Sequence, residues 1–487
     1  MSGAILKILS MFQLVLSAFV PFAKGYSAGS DVVDGPSMLV QRHGGGFVLR
    51  AARYKISTSE YDGALLSLDG AGELLWARRY GWDTDHEYLY GIAYLPDGYA
   101  LAGYTQSWSG GYNVWALKVD SAGDPVWSSV LGTSSTDMGH YVLSTSDGGL
   151  LVTGYTYAVG GGDAIAIKLD STGGVEWAVR WGGSGLDKAY AAVEVPGGYL
   201  ITGFYDYSSP KVFLIKIGYD GSLGWFQTYD AGVPSKGYGM AVSGGDVYIA
   251  GQIGSYSSSD ALLLRVDTGG TFVGARSYDF NGDEDLLYGL ITYNGGVVAS
   301  GTARYDSYDA LMLRTTATGD VVWAKRLDYG WDEGYDVLPI AGGFAFGFGS
   351  GAYNSVAVTD TGGTALGCVA DALPTVGTLT FSASTPSDFT FSSLSLTVNV
   401  RTLPDTASFV PTRLDLCPLA LSEKGGCSRV AWEVGRGSIT FRSPVATRVV
   451  VYGTDGREVF NGEVNGTLTL HLRPGVYIWR GGRAVVR

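Results

Sequence analysis

Short runs of alternating apolar and polar residues cover most of the chain, and helical spacing is absent throughout. Residues 141–183 are typical: "YVLST", the turn "SDGG", "LLVTGYT", the loop "YAVGGG", "DAIAIKLD", the turn "STGG" and "VEWAVRWGG". Runs of this length, rich in Val, Ile, Leu, Tyr and Thr and bounded by Gly, Asp and Ser, are typical of β-strands. The pattern predicts an all-β protein with four strands in each such unit.

The same unit recurs at intervals of about fifty residues. Strands that end in glycine are "YALAG" (Gly103), "LLVTG" (Gly154), "YLITG" (Gly203), "VYIAG" (Gly251) and "VVASG" (Gly301), spaced by 51, 49, 48 and 50 residues. Looser copies end at Ala51 and Phe348. Seven four-stranded units without helices, over residues 38–371, predict a seven-bladed β-propeller. A stacked solenoid is the alternative.

Two positions of the repeat predict how the blades pack. The glycine or alanine that ends the second strand is expected to face the crowded axis of the ring. The tryptophan after each aspartate turn is expected to pack between adjacent blades, where it would bury a large apolar area. These tryptophans are Trp76, Trp127, Trp177, Trp225 and Trp323.

The phrases "LDSTGGVEW" and "LDGAGELLW" place an aspartate turn before this tryptophan. They resemble the repeat of quinoprotein-type (PQQ-like) β-propellers over residues 38–371. The resemblance implies a propeller but no single function, since that family contains dehydrogenases, non-catalytic assembly factors and many secreted proteins. Its quinone enzymes resemble one another in a vicinal disulfide and a set of calcium ligands. None of the three cysteines here is adjacent to another, which weakens the enzyme interpretation.

The N-terminal segment has the layout of a secretory signal peptide over residues 1–25. Lys7 precedes an apolar run over residues 8–23, and small residues flank a cut before Tyr26. A linker over residues 26–37 would follow. An uncleaved anchor is the alternative. We therefore expect a secreted or cell-surface protein.

The charge is unevenly distributed. The net charge is −13, but residues 421–487 hold ten Lys and Arg against five Asp and Glu, which gives +5 there and −18 before it. An acidic body argues against nucleic acid as a partner, because phosphates need a basic surface.

No recognisable catalytic set is present, and enzymatic activity is not favoured. The four histidines lie far apart and form no metal-binding pair. Acidic loops follow the last strand of several blades and predict a ring or crescent of carboxylates on one face. Its members are Asp83, Asp85, Glu87, Asp137, Asp187, Asp279, Asp283, Asp285, Asp332, Glu333 and Asp336. Asp279, Asn281, Asp283 and Asp285 alternate as the oxygen ligands of a Ca²⁺ loop do, although solvated turn residues are the alternative. No other cofactor is expected.

Loops rich in Tyr, Ser and Gly follow the second strand and are expected on the opposite face. Aromatic side chains among small polar residues suit contacts with sugars or proteins. The candidate ligand-binding residues are Trp108, Tyr112, Tyr155, Tyr157, Tyr205, Tyr207, Tyr256, Tyr305 and Tyr308. Local packing of these tyrosines against their own hairpins is the alternative.

The repeat stops near residue 371. Residues 372–420 predict an extended, Ser/Thr-rich β connector, and a disulfide between Cys368 and Cys417 would tie it to the last blade. Pairing of Cys417 with Cys427 is the alternative. Residues 421–487 predict a small β-sandwich, and "VVVYGTDGREV" with "GVYIWRGGRAVVR" resembles the C-terminal sorting modules of secreted bacterial proteins. That resemblance implies export or surface attachment.

Three functions fit these features. We favour a secreted or surface-displayed, non-enzymatic propeller that binds an extracellular glycan or protein through one loop face. The alternatives are a propeller enzyme, such as a glycan lyase, a hydrolase or a quinoprotein, and a structural component of the cell envelope. Contact with a membrane is expected only through an uncleaved N-terminal anchor or through attachment of the C-terminal domain.

Overall fold

The computed structural model describes most of the chain. The described ranges are 22–27, 32–55, 60–82, 86–108, 111–255, 258–280, 282–305, 307–327, 332–350, 353–364, 369–372, 374–400, 405–408, 412–415, 431–435, 438–453, 458–471, 475–479 and 482–486. Within them the chain forms forty β-strands and no helix. No helix in these ranges could therefore span a membrane.

Each repeat forms one antiparallel sheet, which we call a blade. Blade 1 contains β2 (Val32–Gln41), β3 (Phe47–Lys55), β4 (Glu60–Leu68) and β5 (Leu74–Gly81). Blade 2 contains β6 (Glu87–Leu95), β7 (Gly98–Trp108), β8 (Gly111–Asp120) and β9 (Pro125–Gly132). Blade 3 contains β10 (Asp137–Ser144), β11 (Leu150–Thr156), β12 (Asp163–Leu169) and β13 (Val175–Gly182).

Four more blades follow. Blade 4 contains β14 (Lys188–Val195), β15 (Gly198–Tyr205), β16 (Lys211–Ile217) and β17 (Leu223–Asp230). Blade 5 contains β18 (Ser235–Ser243), β19 (Asp246–Ser255), β20 (Ser258–Asp267) and β21 (Phe272–Asp279). Blade 6 contains β22 (Asp285–Tyr293), β23 (Gly296–Arg304), β24 (Tyr308–Thr315) and β25 (Val321–Leu327). Blade 7 contains β26 (Asp332–Ile340), β27 (Gly343–Ser350) and β28 (Tyr353–Asp360).

The blades close into a ring around the first strand of each blade. These innermost strands contact one another from blade to blade, and β2 contacts both β6 and β26. Apolar side chains from facing sheets form the core between neighbouring blades, as between blades 4 and 5. The predicted seven-bladed β-propeller is confirmed.

Blade 7 takes its fourth strand from the start of the chain. Strand β1 (Phe22–Ser27) pairs antiparallel with β28, with Phe22 opposite Val358. The buried Tyr26 hydroxyl donates to the carbonyl of Gly72 in blade 1, at 2.6 Å. The ring therefore begins before residue 38, and a signal-peptide cut before Tyr26 would remove Phe22–Gly25 from this strand.

The segment after blade 7 runs backwards around the outside of the ring. Its strands are β29 (Val369–Asp371), β30 (Thr375–Leu379), β31 (Ser382–Ser384), β32 (Thr390–Ser393), β33 (Thr397–Val400), β34 (Asp405–Ser408) and β35 (Thr412–Asp415). They pair in turn with the outer strands of blades 6, 5, 4, 3, 2, 1 and 7. We call this segment the belt. The predicted connector is thus a fifth strand for every blade, and it covers edges that would otherwise be open.

The tryptophans pack between blades as predicted. Each lies on a left-handed glycine in the turn after the third strand of the next blade, where a Cβ would come within 3.0 Å of the indole. The pairs are Trp76–Gly123, Trp127–Gly173, Trp177–Gly221, Trp225–Gly270 and Trp323–Gly363. This contact joins five of the blade pairs.

The C-terminal strands form a sheet of their own. They are β36 (Ala431–Gly435), β37 (Ser438–Gly453), β38 (Glu458–His471), β39 (Gly475–Trp479) and β40 (Gly482–Val486). The long β37 pairs with β36, β38 and β39. Among the described residues of this segment a single antiparallel sheet is present, without the second layer that a sandwich needs. Cys368, Cys417 and Cys427 lie outside the described residues, so the predicted disulfide does too.

Candidate functional site

The innermost strand carries a β-bulge at the same repeat position in six blades. The pairing register with the second strand shifts there by one residue, for example between Gly139 and Tyr141. A bulge leaves one residue unpaired and redirects its side chain. The unpaired residues are Tyr90, His140, Tyr190, Tyr238, Tyr288 and Tyr335. Every one of them is aromatic.

The repeated glycine of the second strand accommodates this bulge. A Cβ on Gly103, Gly154, Gly203, Gly251 or Gly301 would lie 1.8–2.0 Å from a main-chain oxygen of the innermost strand, two residues before the bulge. Such a distance is excluded by hard-sphere contact. The expectation that these glycines face the axis is corrected: they face the neighbouring strand, whose bulge turns an aromatic residue toward the axis.

The six bulge residues form a continuous arc around an axial cavity of about 440 Å³. We call them the aromatic arc. Successive ring centroids from Tyr90 to Tyr335 are 5.1, 4.8, 5.3, 5.1 and 5.1 Å apart. These separations are typical of packed aromatic pairs. The cavity is also lined by Met138, Tyr155, Lys188 and Met240.

Blade 1 has no aromatic residue at the bulge position. Its second strand instead carries Arg50, one residue before the position of the repeated glycine. At this repeat position the other blades have the small residues Ala102, Thr153, Thr202, Ala250, Ser300 and Gly347. The Arg50 side chain is fully buried, with its guanidinium carbon 5.7 Å from the centroid of the Tyr88 ring. Burial lowers the pKa of Arg50, while Tyr88, Tyr90 and Tyr335 raise it. The contact of the guanidinium that the structure describes is therefore with Tyr88, beside the first residue of the aromatic arc.

Two lysines stand two residues before the bulges of blades 4 and 5. The Lys188 ammonium lies 4.1 Å from the centroid of Tyr155, and the Lys236 ammonium lies 5.0 Å from that of Tyr207. Each lysine thus contacts an aromatic ring of the preceding blade. Burial and the charge of Lys236 lower the pKa of Lys188 to about 8.

Two other titratable groups line the cavity. Burial lowers the pKa of His140 to about 3, so its imidazole is neutral at pH 7. Burial raises the pKa of Asp336 to about 6. The Asp336 carboxylate accepts hydrogen bonds from the amides of Leu39, at 3.1 Å, and Val337, at 2.9 Å. Asp336 is the one carboxylate among the described residues that line this cavity.

The tyrosine-rich loops and the acidic loops lie on the same face, not on opposite faces as expected. The amide of Tyr157 donates to the carbonyl of Thr136 in the acidic loop, at 2.8 Å, and the amide of Tyr207 donates to Leu186, at 3.0 Å. In a four-stranded antiparallel blade the connection between strands two and three ends at the same edge as the connection to the next blade. The two sets of loops are therefore adjacent.

The predicted ligand-binding residues are divided among several environments. Tyr155 lines the cavity, and Tyr205 is buried with its hydroxyl on Asp388 of the belt, at 2.7 Å. Tyr157 and Tyr207 are exposed. Tyr112, Tyr305 and Tyr308 are half-buried, while Tyr256 and the Trp108 side chain lie outside the described residues. Among the described members of this set, Tyr155 contacts the aromatic arc through His140, with ring centroids 5.2 Å apart.

Several members of the predicted acidic crescent are buried and cap loop amides. The carboxylates of Glu87, Asp137, Asp187 and Asp285 accept from the amides of Trp82, Thr133, Gly183 and Phe280, at 2.6–3.1 Å. All four side chains are fully buried. They hold the connections between blades, which leaves them unavailable to a ligand on the face. Asp83 and Asp85 lie outside the described residues.

The predicted calcium loop is only partly described. The Asp279 carboxylate accepts from the amide of Gly282, at 2.5 Å, and Asp285 caps Phe280. Asn281 lies outside the described residues. Among the residues that the structure does describe, no three His, Cys, Asp or Glu side chains are grouped to hold a metal. Calcium binding stays a prediction.

Replacement of Asp285 by Asn should change how stability depends on pH. Burial raises the pKa of Asp285 from 3.8 to about 7. The folded state therefore binds more protons than the unfolded state between these values, and the unfolding free energy contributed by this group falls as pH rises through them. An asparagine side chain stays neutral, so the variant should gain on the order of 2 kcal/mol relative to wild type at pH 8 and nothing at pH 4. Urea unfolding at both pH values measures this difference.

Asp220→Asn is the matched control with the opposite sign. Asp220 is exposed, and hydrogen bonds from Ser222 lower its pKa. Its contribution to stability is present above pH 3.8 and is lost as the pH falls, so the Asn variant should not gain stability at pH 8. An equal gain in both variants would contradict the account of Asp285.

The aromatic arc was missed in the sequence, although a signal for it is present. Aligning the seven repeats on the strand-ending glycine places Tyr90, His140, Tyr190, Tyr238, Tyr288 and Tyr335 in one column, thirteen residues before the glycine in most repeats. The same alignment isolates Arg50 in a column of small residues. Lys188 and Lys236 share the column two residues earlier.

Comparisons with known proteins add little beyond the fold. No family model matches the chain, and no curated protein matches its sequence. An acylaminoacyl peptidase of Pyrococcus horikoshii is similar over 70% of this chain and 52% of its own, with 9% identity and a TM-score of 0.40. A glycosyl hydrolase from Bacteroides ovatus is similar over 61% of this chain and 88% of its own, with 11% identity and a TM-score of 0.28. The chain spans about half the length of the peptidase.

Proposed function

We propose that this protein is a secreted or cell-surface, non-enzymatic β-propeller that binds a glycan in its axial cavity. The observation that carries the proposal is the aromatic arc, six contiguous rings around about 440 Å³ of space. Small-molecule sites are typically concave, a few hundred Å³ in volume and rich in aromatic side chains with a few polar groups. Tyrosines offer an apolar face for the carbon skeleton of a sugar and a hydroxyl for its polar groups.

Binding is favoured over glycoside hydrolysis by the carboxylates. Hydrolysis of a glycosidic bond commonly requires two carboxyl groups on opposite sides of that bond. Asp336 is the one carboxylate among the described cavity residues, and two main-chain amides already hold it. Most of the predicted acidic crescent that the structure describes is committed to capping loops.

Export and surface attachment are parts of the proposal that rest on the sequence. The apolar N-terminal run supports secretion, and the resemblance of residues 421–487 to sorting modules supports attachment at the cell surface. The resemblance to quinoprotein-type propellers supports only the repeat in this proposal and no quinone-dependent activity. A protein ligand is the second candidate, because Tyr157 and Tyr207 are exposed on the face that carries the tyrosine-rich loops.

Replacement of Tyr190 by Ala tests the cavity as the site. Tyr190 stacks on His140, with centroids 4.8 Å apart, and lies in the middle of the aromatic arc. Loss of such a central aromatic contact should weaken glycan binding at least about tenfold, whereas Tyr190→Phe should keep most of it. Ligands identified on a glycan array are titrated by calorimetry against each variant, and thermal unfolding verifies that each is folded.

Tyr157→Ala is the matched control on the exposed loop. It should leave glycan affinity unchanged. If Tyr157→Ala abolishes binding and Tyr190→Ala does not, the ligand lies on the loops and the cavity is not the site. Absence of binding to any glycan would overturn the proposed function.

A further inference from the structure

We propose that the ligand of the axial cavity is an acidic sugar, whose ring packs on the aromatic arc and whose anionic group lies between Lys188 and Lys236. This inference rests on the proposed function and adds the chemical class of the ligand. It follows from the two cations at the cavity, from the absence of a direct ion pair to either lysine among the described residues, and from the place of both lysines in the repeat.

The cavity is bordered by cations in an otherwise acidic molecule. Residues before 421 carry a net charge of −18. Lys188 lines the cavity, Lys236 precedes the cavity residue Tyr238, and the buried Arg50 lies three blades away from Lys188. Three described carboxylates lie in this region, and each accepts a hydrogen bond from the protein. Asp336 has a raised pKa of about 6 and is held by two amides. Glu333 accepts from the Tyr335 hydroxyl, and Glu284 accepts from the Tyr308 hydroxyl at 2.7 Å. The side of the cavity at blades 4 and 5 is therefore positive within a negative body, and such a site attracts anions.

The two lysines lack the partners that other lysines of the ring have. Lys24, Lys118, Lys168, Lys211 and Lys325 each form an ion pair with a carboxylate. Within the described residues no carboxylate lies within ion-pairing distance of Lys188 or Lys236. Both ammonium groups contact aromatic rings and are half-buried. The charge of Glu284 partly stabilises the Lys236 ammonium, whereas Lys188 is repelled by Lys236. A bound anion would relieve this repulsion between the two half-buried ammonium groups.

The repeat position explains how the lysines are held. Residues two before the bulge are Tyr88, Met138, Lys188, Lys236, Leu286 and Glu333. The Lys188 and Lys236 carbonyls abut Gly203 and Gly251 of their own blades, which fixes the main chain from which each side chain projects. Lysine occurs at this position only in neighbouring blades 4 and 5, two residues from Tyr190 and Tyr238. A cationic pair thus lies beside an aromatic surface, which is the combination that an acidic sugar needs.

The test compares acidic and neutral glycans on the full-length protein. Galacturonic acid oligosaccharides, sulfated galactose oligosaccharides and neutral galactose oligosaccharides of equal length serve as probes in calorimetry. We expect at least one acidic series to bind about tenfold or more tightly than the neutral series, with affinity that falls as salt is raised. The carboxylated and sulfated series distinguish the two kinds of anionic group.

Lys188→Met and Lys236→Met locate the anionic group. Each should reduce the ratio of acidic-series affinity to neutral-series affinity about tenfold. Lys211→Met is the control, because Lys211 lies at the same edge of blade 4 but pairs with Asp230, at 3.2 Å. The apparent pKa of the Lys188 amine, followed by NMR, should rise when the acidic ligand is bound. A lysine with a purely structural role would change neither the preference for acidic glycans nor its own pKa on ligand binding.

The outcomes distinguish the acidic-sugar inference from the proposed glycan-binding function. Equal affinity for acidic and neutral glycans would overturn the acidic-sugar inference and leave the proposed function intact. Acidic preference that survives both lysine substitutions would place the anionic group elsewhere and overturn the inference as stated. Failure of every glycan to bind would overturn both.

Discussion

A chain that begins at Ala28 is expected to lose at least about 5 kcal/mol of unfolding free energy relative to one that begins at Phe22. The missing strand β1 completes blade 7 between β28 and the belt strand β35. Tyr26 and Ala23 are buried, and burial of one large aromatic side chain alone is worth roughly 3–5 kcal/mol. Lys24 also joins blade 7 to Glu73 of blade 1, at 3.0 Å. Urea unfolding of the two chains measures the difference.

Tyr26→Phe separates the hydroxyl from the strand. It removes the hydrogen bond to Gly72 and keeps the buried ring, so it should cost only about 1 kcal/mol. If the chain that begins at Ala28 is as stable as the one that begins at Phe22, the ring does not depend on β1. Cleavage of the N-terminal segment, followed by mass spectrometry, gives a related result: the first residue after any cut should be Phe22 or an earlier one.

Replacement of Gly154 by Ala is expected to cost about 3 kcal/mol or more and to disturb the aromatic arc. The new Cβ would lie 1.8 Å from the carbonyl oxygen of Met138 and 3.0 Å from Cα of Gly139. Both are main-chain atoms, so the bulge itself must move. Because His140 is the bulge residue, its contacts with Tyr90 and Tyr190 should change with it. Thermal unfolding gives the loss of stability, and the NMR signals of His140 report the rearrangement.

Gly274→Ala is the control within the same kind of sheet. Gly274 lies in β21 with no atom within 4 Å of the added Cβ. Its substitution should change stability by no more than about 0.5 kcal/mol. Similar losses for the two variants would show that glycine matters here only through chain flexibility, and that close approach to the bulge is irrelevant.

The ring of blades was predictable because its strands are long and repeat. Apolar runs such as "LLVTGYT" and "DAIAIKLD" mark strands that are buried on both faces, and the recurring glycine counts the blades. Strand β1 was hidden because Phe22 and Ala23 continue an apolar run with the pattern of a signal peptide. The belt was hidden for another reason: strands of three to five residues carry too little periodicity, and their partners lie far away in the chain.

The candidate site was less predictable than the fold. A bulge shifts the side-chain alternation by one residue, so Tyr190 and Tyr238 are not on the face that a regular strand would give them. They are also concealed among 32 tyrosines, several of them in more conspicuous loops. Asp137 and Asp187 were wrongly predicted to be exposed on the face of the ring. Their carboxylates are buried because they accept hydrogen bonds from loop amides, which the sequence does not reveal.

The belt adds fifth strands to the first six blades in the reverse of the order in which those blades are synthesised. Blades 1 to 6 leave the ribosome with four strands each, and their fifth strands follow only when residues 369–415 have been synthesised. The first and last parts of the ring, β1 and β35, then meet side by side in blade 7. Pulling on the C-terminal end would detach β35 first and then β34 to β29 in turn, before any four-stranded sheet had to open. Mechanical unfolding from that end should proceed as a series of small steps around the circumference.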